Sequence, residues 1–232
     1  LDELGDRAPY VLWAKGASSL LTTALSDRVT ITGARASSHY GEHVTTELVT
    51  GLADEERVVI AGGTFGIEGA AHRGVFTAAG QTIAVLATGV DRRYPAAHSE
   101  LLDRIGDSGL LVSELPPGAM PTKDRFQARN RLMAALSGAV VIPEAGPRSG
   151  SMRTVHNAHS LGRRVGAVPG PVTSVVSTGP NELIKQGLAA VVTQASDVIA
   201  LLDADASEGP SVTPSWFGIG LEAGRESPGR SL

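Results

Sequence analysis

Short runs of apolar residues alternate along the chain with segments whose apolar positions recur at helical spacing. Six runs are predicted strands, at 29–33, 57–63, 82–89, 110–114, 139–146 and 163–170. Helical segments lie between them, for example at 40–53 and 67–79. Strands that are apolar on both faces and separated by helices are typical of parallel βαβ units covered on both sides. The pattern therefore predicts an α/β fold with an extended, Rossmann-like, doubly wound and mostly parallel sheet.

The same pattern divides the chain into three parts. Residues 1–28 are predicted to be a short N-terminal segment leading into the fold, with "YVLWAKG" as a candidate short strand. Residues 29–202 carry the alternating strands and helices and form the Rossmann-like domain. Residues 203–232 are rich in Gly, Ser and Pro and are predicted to be a flexible tail. Because the chain begins at Leu1 rather than Met, we expect a longer parent with an upstream domain.

Composition is that of an ordinary globular protein, and it removes several classes of site. The chain is 42% hydrophobic and 19% charged, and no apolar run approaches the ~20 residues of a membrane span. The absence of cysteine excludes disulfides and thiolate metal ligands and fits a cytoplasmic protein. His39 and His43 could share a helix face, but no third ligand accompanies them. We expect no bound metal and no membrane partner.

Positive charge is concentrated in one part of an acidic chain. Between Lys123 and Arg164 there are eight Lys and Arg residues and two carboxylates, a net charge of +6, whereas the whole chain has a formal charge of −4. Arginine supplies 17 of the 20 basic residues, and its planar fork suits phosphate and stacks on bases. A compositional bias would raise the arginine content but would not gather it in one segment.

Four glycine-rich turns follow predicted strands: "TGARASSHYG", "AGGTFGIEG", "EAGPRSGS" and "PGPVTSVVSTGPN". Ligands bind beyond the carboxyl ends of parallel strands, where glycine lets the backbone approach a phosphate closely. We therefore predict phosphate-cradling loops that contain Gly33, Gly62, Gly63, Gly66 and Ser151. The first turn lacks G-x-G-x-x-G, the second strand ends without an acid, and no Gly-Lys-Ser/Thr occurs. No dinucleotide or other cofactor is expected.

The stretch "FQARNR" is predicted to begin a helix near the same edge of the sheet. Phe126, Arg129 and Asn130 share a helix face, and Lys123 is expected just before the helix. Single-stranded nucleic acid is bound by cations that meet phosphates, by rings that stack on bases and by amides that contact base edges. The alternative places Phe126 in the core and the arginines in solvent, and the helical pattern alone favours that alternative.

The stretch "GPRSGSMRT" lies between a strand and a helix. Ser149, Gly150 and Ser151 would form an anion site with hydroxyl donors at the helix N-terminus. An ordinary N-cap by Ser149 or Ser151 is the alternative, and the two interpretations are compatible.

Catalytic groups are not arranged for an enzyme. Asp91, Glu114 and Glu144 lie near strand ends without forming a poised pair, and no G-x-S-x-G turn is present. His72 is four residues after Glu68 and is more simply explained as a packed, hydrogen-bonded histidine. We expect no catalytic turnover.

Six stretches together resemble the DNA processing protein A (DprA/Smf) family, in the family's order. They are "VTITGAR", "AGGTFGIEGAAHRG", "TIAVLATGVDRRYP", "LLVSELPPG", "FQARNRLMAALSGAVVIPEAGPRSGSMRT" and "GRRVGAVPG…STGPNELIKQG", and they cover Val29 to Leu202. The resemblance implies a protein of DNA uptake and natural transformation that binds single-stranded DNA, delivers it to the RecA recombinase and forms a homodimer. It implies DNA contacts from Arg35, Lys123, Phe126, Arg129 and Asn130, phosphate contacts from Ser149 and Gly150, and a further contact from Asn181.

The chain departs from the family's pattern in three stretches. Thr64 and Phe65 stand where the family usually has Ala-Arg, Gln127 replaces a proline, and Pro143 interrupts a strand end that is usually rich in valine. Two alternatives therefore remain open. One is a nucleotide phosphoribohydrolase of related fold, although Asn157 stands where its P-G-G-x-G-T-x-x-E motif has a glutamate. The other is a nucleotide-sensing or interaction module that has lost DNA binding.

Overall fold

The computed structural model describes residues 1–204, which form one eight-stranded sheet with helices on both faces. The strands are β1 (Trp13–Gly16), β2 (Arg28–Ile31), β3 (Val58–Ala61), β4 (Thr82–Val85), β5 (Leu110–Ser113), β6 (Ala139–Ile142), β7 (Arg164–Ala167) and β8 (Ala190–Val191). The helices are α1 (His39–Asp54), α2 (Ile67–Thr77), α3 (Ser99–Ser108), α4 (Lys123–Ala135), α5 (Met152–Ser160), α6 (Thr178–Lys185) and α7 (Ala195–Asp203). A 3₁₀ segment, Asp2–Arg7, precedes β1.

The strand order creates a crevice near the middle of the sheet. Across the sheet the order is β1-β5-β4-β3-β2-β6-β7-β8, and every neighbouring pair is parallel except β1 with β5. From β2 the chain runs outward to β5 and then returns to β6 on the other side of β2. The carboxyl ends of β2 and β6 thus form a topological switch point, where open α/β sheets bind ligands. The predicted Rossmann-like, mostly parallel sheet is confirmed.

The central strands are apolar on both faces because helices cover both faces. Every residue of β2 to β6 is buried. One apolar cluster joins the sheet to α1, α2 and α7, and another joins it to α4 through Leu132 and Met133. The continuous apolar runs of the sequence therefore indicate burial on two sides, as parallel strands require.

The strands are shorter than the apolar runs that predicted them. β3 ends at Ala61 and β4 ends at Val85, whereas the predicted strands continued to 63 and 89. Residues 62–63 and 86–89 are buried, but they lie outside the paired strands and form the loops at the carboxyl edge of the sheet. "YVLWAKG" does contain a strand, β1, which pairs antiparallel at the sheet edge. Beyond Ala204, the predicted tail lies outside the described residues.

Candidate functional site

A pocket of about 760 Å³ opens at the switch point. Its walls are the loop after β2, the loop after β3, the first turns of α4 and the loop between β6 and α5. We call it the switch-point pocket. Its lining includes seven of the predicted binding residues, namely Arg35, Lys123, Phe126, Arg129, Asn130, Ser149 and Gly150, together with Gly33 and Ser151.

The start of α4 brings polar side chains to the mouth of the pocket. Thr122 caps the helix, because its Oγ1 accepts a hydrogen bond of 3.3 Å from the backbone N–H of Arg125. Lys123 is the first helical residue rather than the residue before the helix. It is exposed, and within residues 1–204 its side chain has no ion-pair partner.

Phe126 is half-buried and already has partners on the pocket side. The Arg35 guanidinium carbon lies 4.7 Å from its ring centroid, a cation–π distance. The Tyr94 ring lies 6.0 Å from it, centroid to centroid, and is exposed. The alternative of a core phenylalanine is therefore not what the structure shows: Phe126 lines the pocket and forms an aromatic and cationic cluster there.

Arg129 lines the pocket but is buried rather than exposed at its mouth. Its side chain is only 6% exposed, and its Nη1 donates a hydrogen bond of 3.1 Å to the carbonyl oxygen of Val85. Its Nη2 lies 3.4 Å from Oε1 of Glu68, which is also buried. A Cβ on Gly62 would lie 1.4 Å from Nη1, so glycine is required at that position for the guanidinium to fit.

Glu68 is held ionised in spite of its burial. Burial alone would raise its pKa, but the charge of Arg129 and hydrogen bonds from Thr64 and Thr32 lower the pKa overall. The Thr64 and Thr32 hydroxyls donate at 2.6 Å and 2.8 Å, and the Thr64 N–H donates at 3.1 Å. The two buried charges therefore form a compensated structural pair within the pocket wall.

Asn130 orders the loop that forms the opposite wall. It is 5% exposed, and its Nδ2 donates a hydrogen bond of 2.9 Å to the carbonyl oxygen of Gly150. The expected free amide is therefore a tether between α4 and the β6–α5 loop, and a DNA contact from Asn130 stays a prediction.

The β6–α5 loop closes on itself through its serines. The Ser149 and Ser151 hydroxyl oxygens lie 2.7 Å apart and share a hydrogen bond. Ser151 occupies the N-cap position of α5, but its side chain makes no cap hydrogen bond. The backbone N–H of Met152 donates to the carbonyl oxygen of Ser149. An anion entering this loop would therefore replace hydrogen bonds that the loop now makes.

The predicted phosphate-cradling glycines divide between two roles. Gly33 lines the pocket, where a Cβ would lie 2.4 Å from the carbonyl oxygen of Glu144. Gly62, Gly63 and Gly66 do not line it. Gly62 accommodates Arg129, and Gly66 (φ +71°) passes close to the carbonyl oxygen of Ala34. Backbone and side-chain atoms pack closely against the free side of these three glycines, and a phosphate contact from them stays a prediction.

Asn181 lies outside the pocket. Its side-chain amide forms two hydrogen bonds with the backbone of Gly170, accepting at 3.1 Å and donating at 2.9 Å. It fixes the loop between β7 and α6 and leaves no polar atom directed at the switch-point pocket.

Two cations that the sequence analysis did not single out line the pocket. Arg148 and Arg153 flank the predicted Ser149–Ser151 site and are both exposed. Arg35, Lys123, Arg148 and Arg153 form no ion pair with any described residue. We call these four side chains the rim cations. Glu68 is the carboxylate that lines the pocket within residues 1–204, and Arg129 compensates it. The rim therefore carries an uncompensated positive charge.

The residues considered for catalysis have structural partners. His72 is fully buried, its Nδ1 lies 2.8 Å from the Thr82 hydroxyl, and burial lowers its pKa to about 4. The prediction of a packed, hydrogen-bonded histidine is confirmed, with Thr82 rather than Glu68 as the partner. Glu144 is buried and accepts hydrogen bonds from the Ser38 N–H and hydroxyl at 2.8 Å and 2.5 Å.

Residues 1–204 contain neither a candidate metal site nor a candidate membrane-spanning helix. No group of three His, Asp or Glu side chains in that range could hold a metal ion. No helix in the same range has both the length and the apolar character needed to cross a membrane.

The fold and the pocket together define a class: a Rossmann-like protein with a cationic, partly aromatic pocket at its switch point. Residues 1–203 match the family model described as DNA recombination-mediator protein A, and the chain belongs to that family. The resemblance to the DprA/Smf family is therefore confirmed. A putative DNA processing protein DprA from Mycobacterium tuberculosis is 48% identical over 192 residues, which are 83% of this chain. The chain spans about half, 49%, of that relative's length.

Two solved structures of relatives have the same fold. DNA processing protein A from Streptococcus pneumoniae superposes with a TM-score of 0.80 at 39% identity, over 86% of this chain and 68% of that one. DNA processing protein A from Helicobacter pylori superposes with a TM-score of 0.78 at 32% identity, over 87% and 90% of the two chains. The Helicobacter pylori structure is described in terms of its single-stranded DNA binding mode.

Proposed function

We propose that the chain is a DNA-processing protein that binds single-stranded DNA in the switch-point pocket. The observation that carries the proposal is the group of rim cations around the half-exposed ring of Phe126. Cations and an exposed ring are the two elements that bind a single strand, because one meets phosphates and the other stacks on an unpaired base. The single-stranded DNA binding of the Helicobacter pylori relative supports the proposal.

The chemistry of the pocket favours a single strand over a duplex. The bases of a duplex are stacked inside it and cannot reach Phe126 without being extruded. The pocket also has no pair of free carboxylates for hydrolysis within the described residues, because Glu68 is engaged by Arg129 and by two threonines. Asn157, at the position that a phosphoribohydrolase would fill with glutamate, donates a hydrogen bond of 2.8 Å to the carbonyl oxygen of Arg153.

Delivery of the bound strand to the RecA recombinase and formation of a homodimer are further parts of the proposal. The segment "NELIKQGLAAVVT", which contains β8, supplies the dimer surface. β8 is the edge of the sheet opposite β1, and Val191 is 50% exposed on it. An edge strand has unpaired backbone groups that a second chain can pair with. Light scattering that detects only monomer at high protein concentration would contradict the dimer.

The experiment measures the anisotropy of a labelled oligo-dT and of a duplex of equal length at two salt concentrations. We expect tight, salt-sensitive binding of the single strand and weaker binding of the duplex. The variant Lys123→Gln/Arg148→Gln should reduce the slope of log affinity against log salt by roughly 1.4, since each lost phosphate contact contributes about 0.7. The control Arg73→Gln/Arg104→Gln removes the same charge from exposed arginines outside the pocket and should leave the slope unchanged. Equal effects of both double variants would contradict a site in this pocket.

A further inference from the structure

A second cavity, of about 340 Å³, adjoins the switch-point pocket along α4. Gln127 and Arg153 line both cavities. Lys123 lies at the first cavity and Arg131 at the second, and these positions are about 12 Å apart along the helix axis. We call this cavity the second pocket. The second pocket extends from the rim of the switch-point pocket toward the N-terminal segment that contains Arg7.

Arg7 reaches the second pocket from the 3₁₀ segment that precedes β1. The Nε of Arg131 donates a hydrogen bond of 2.8 Å to the carbonyl oxygen of Arg7 and so fixes the segment through its backbone. Both terminal nitrogens of Arg131 contact Glu114, which neutralises the charge of Arg131. The backbone tether does not depend on the Arg7 side chain, which is therefore available to a ligand.

The remaining charges of the second pocket are uncompensated within the described residues. The Nη1 of Arg7 donates to the neutral Oδ1 of Asn157 at 3.4 Å, a long hydrogen bond. Arg153 is exposed and forms no ion pair, and no carboxylate lines this pocket. Two exposed guanidinium groups on either side of a concave surface, without a carboxylate, are suited to an anion.

We infer that the second pocket is a phosphate subsite, in which Arg7 and Arg153 hold the continuation of the strand that occupies the switch-point pocket. The inference rests on the proposed function, because it takes the bound polyanion to be single-stranded DNA. Arg153 lies between the two pockets, so a backbone that passes it meets Arg7 next. The N-terminal segment therefore takes part in binding as well as leading into the fold.

The test compares short and long strands, because only a long strand reaches both pockets. Oligo-dT of several lengths between roughly 3 and 15 nucleotides is titrated against the wild type, Arg7→Gln and Arg7→Lys. For Arg7→Gln we expect unchanged affinity for the shortest strands that bind, and about three- to tenfold weaker binding of the longest, with a salt slope lower by roughly 0.7. Arg7→Lys keeps the charge and should retain most of the slope.

Two results would overturn the inference. Arg7→Gln binding that equals the wild type at every length would show that Arg7 does not touch the strand. An equal loss at all lengths, with a lowered melting temperature, would show that Arg7 acts through the fold. If the wild type binds no strand of any length, the proposed function itself is contradicted. That result is distinct from a loss of binding that occurs only in Arg7→Gln.

Discussion

Two groups of charged side chains meet at the switch-point pocket, and they differ in burial and in partners. Within the wall, Arg129 and Glu68 are 6% and 3% exposed and neutralise each other. On the rim, Arg35, Lys123 and Arg148 are exposed and form no ion pair with a described residue. The same residue type, arginine, is thus a structural element in one group and a candidate ligand-binding group in the other.

The difference teaches that a motif does not assign one role to all of its residues. In "FQARNR", Phe126 lines the pocket, Arg129 is turned into the protein toward Val85, and Asn130 ties down Gly150. A substitution in the buried group should act mainly on stability, whereas a substitution on the rim should act mainly on binding. The predictions below test that division, from the largest expected effect to the smallest.

Removal of Arg129 should destabilise the fold. Arg129→Met leaves the buried carboxylate of Glu68 uncompensated and should cost about 3–5 kcal/mol in the free energy of unfolding. Urea denaturation measures this cost. The double variant Arg129→Met/Glu68→Gln removes both charges and should recover part of the loss. If Arg129→Met is stable but binds oligo-dT weakly, Arg129 contacts DNA as the rim cations are proposed to do.

Acid titration should separate the contributions of two buried groups, His72 and Glu68, to stability. Burial lowers the pKa of His72 to about 4, whereas an unfolded histidine has a pKa of about 6.5. Between these values the unfolded chain binds a proton that the folded chain does not, so stability falls as the pH falls, by about 3 kcal/mol in total. His72→Gln should lack this part of the pH dependence in urea denaturation. An unchanged profile would mean that His72 has nearly the same pKa in the folded and in the unfolded chain.

Glu68 should also make the folded protein less stable as the pH falls, but at lower pH than His72. Its folded pKa is lowered, so its contribution to stability is complete above the unfolded value of about 4.3 and is lost as the pH falls through the folded value. Glu68→Gln should therefore flatten the stability profile below about pH 4.3, and because the charge of Glu68 raises the pKa of His72, it should lower that pKa further. Flattening in the histidine range instead would contradict this assignment.

Phe126 tests the rim group with an uncharged side chain. Phe126→Ala should lower the affinity for oligo-dT by about 1–3 kcal/mol, the typical contribution of one stacked base. Because the ring is half-buried at the pocket, the melting temperature should change little. Phe76→Ala is a matched control, since Phe76 is also half-buried and stacked by an arginine but lies outside the pocket. A large fall in melting temperature with intact affinity would place Phe126 in the core.

The smallest effect is expected from Arg35→Lys. The substitution keeps the charge but loses the planar stack on Phe126, which contributes about 0.5–1 kcal/mol at an exposed site. Arg35→Gln loses both and should also lower the salt slope by roughly 0.7. Identical slopes for the two variants would show that the Arg35 charge does not meet a phosphate.

The sequence predicts the fold well because burial on two faces leaves a simple pattern. β2 to β7 were all recognised as apolar runs, and the glycine-rich turns correctly marked the carboxyl edge. The exact strand ends were not predictable, since Gly62 and Gly63 remain buried after β3 has ended. At the ends of parallel strands, residues stay buried after their backbone hydrogen bonds to the next strand have ended. An apolar pattern indicates only which residues are buried.

The site was less predictable, because tertiary contacts decide the direction of each polar side chain. Helical spacing correctly grouped Phe126, Arg129 and Asn130. It could not show that the Arg129 guanidinium contacts Val85 and Glu68, because these contacts come from distant parts of the chain. Arg148 and Arg153 were missed although they flank Ser149–Ser151 in a segment already known to be basic. A search for cations next to predicted loop sites would have found them.

The absence of a side chain at Gly62 has a consequence for how such sequences diverge. The Nη1 of Arg129 occupies the space of the missing Cβ, and Glu68 completes the arrangement. Any residue larger than glycine at 62 expels the guanidinium, and loss of the arginine leaves a void as well as an unpaired charge. Substitutions at 62, 68 and 129 should therefore be tolerated in combination rather than one at a time, and we expect the three positions to covary among related chains.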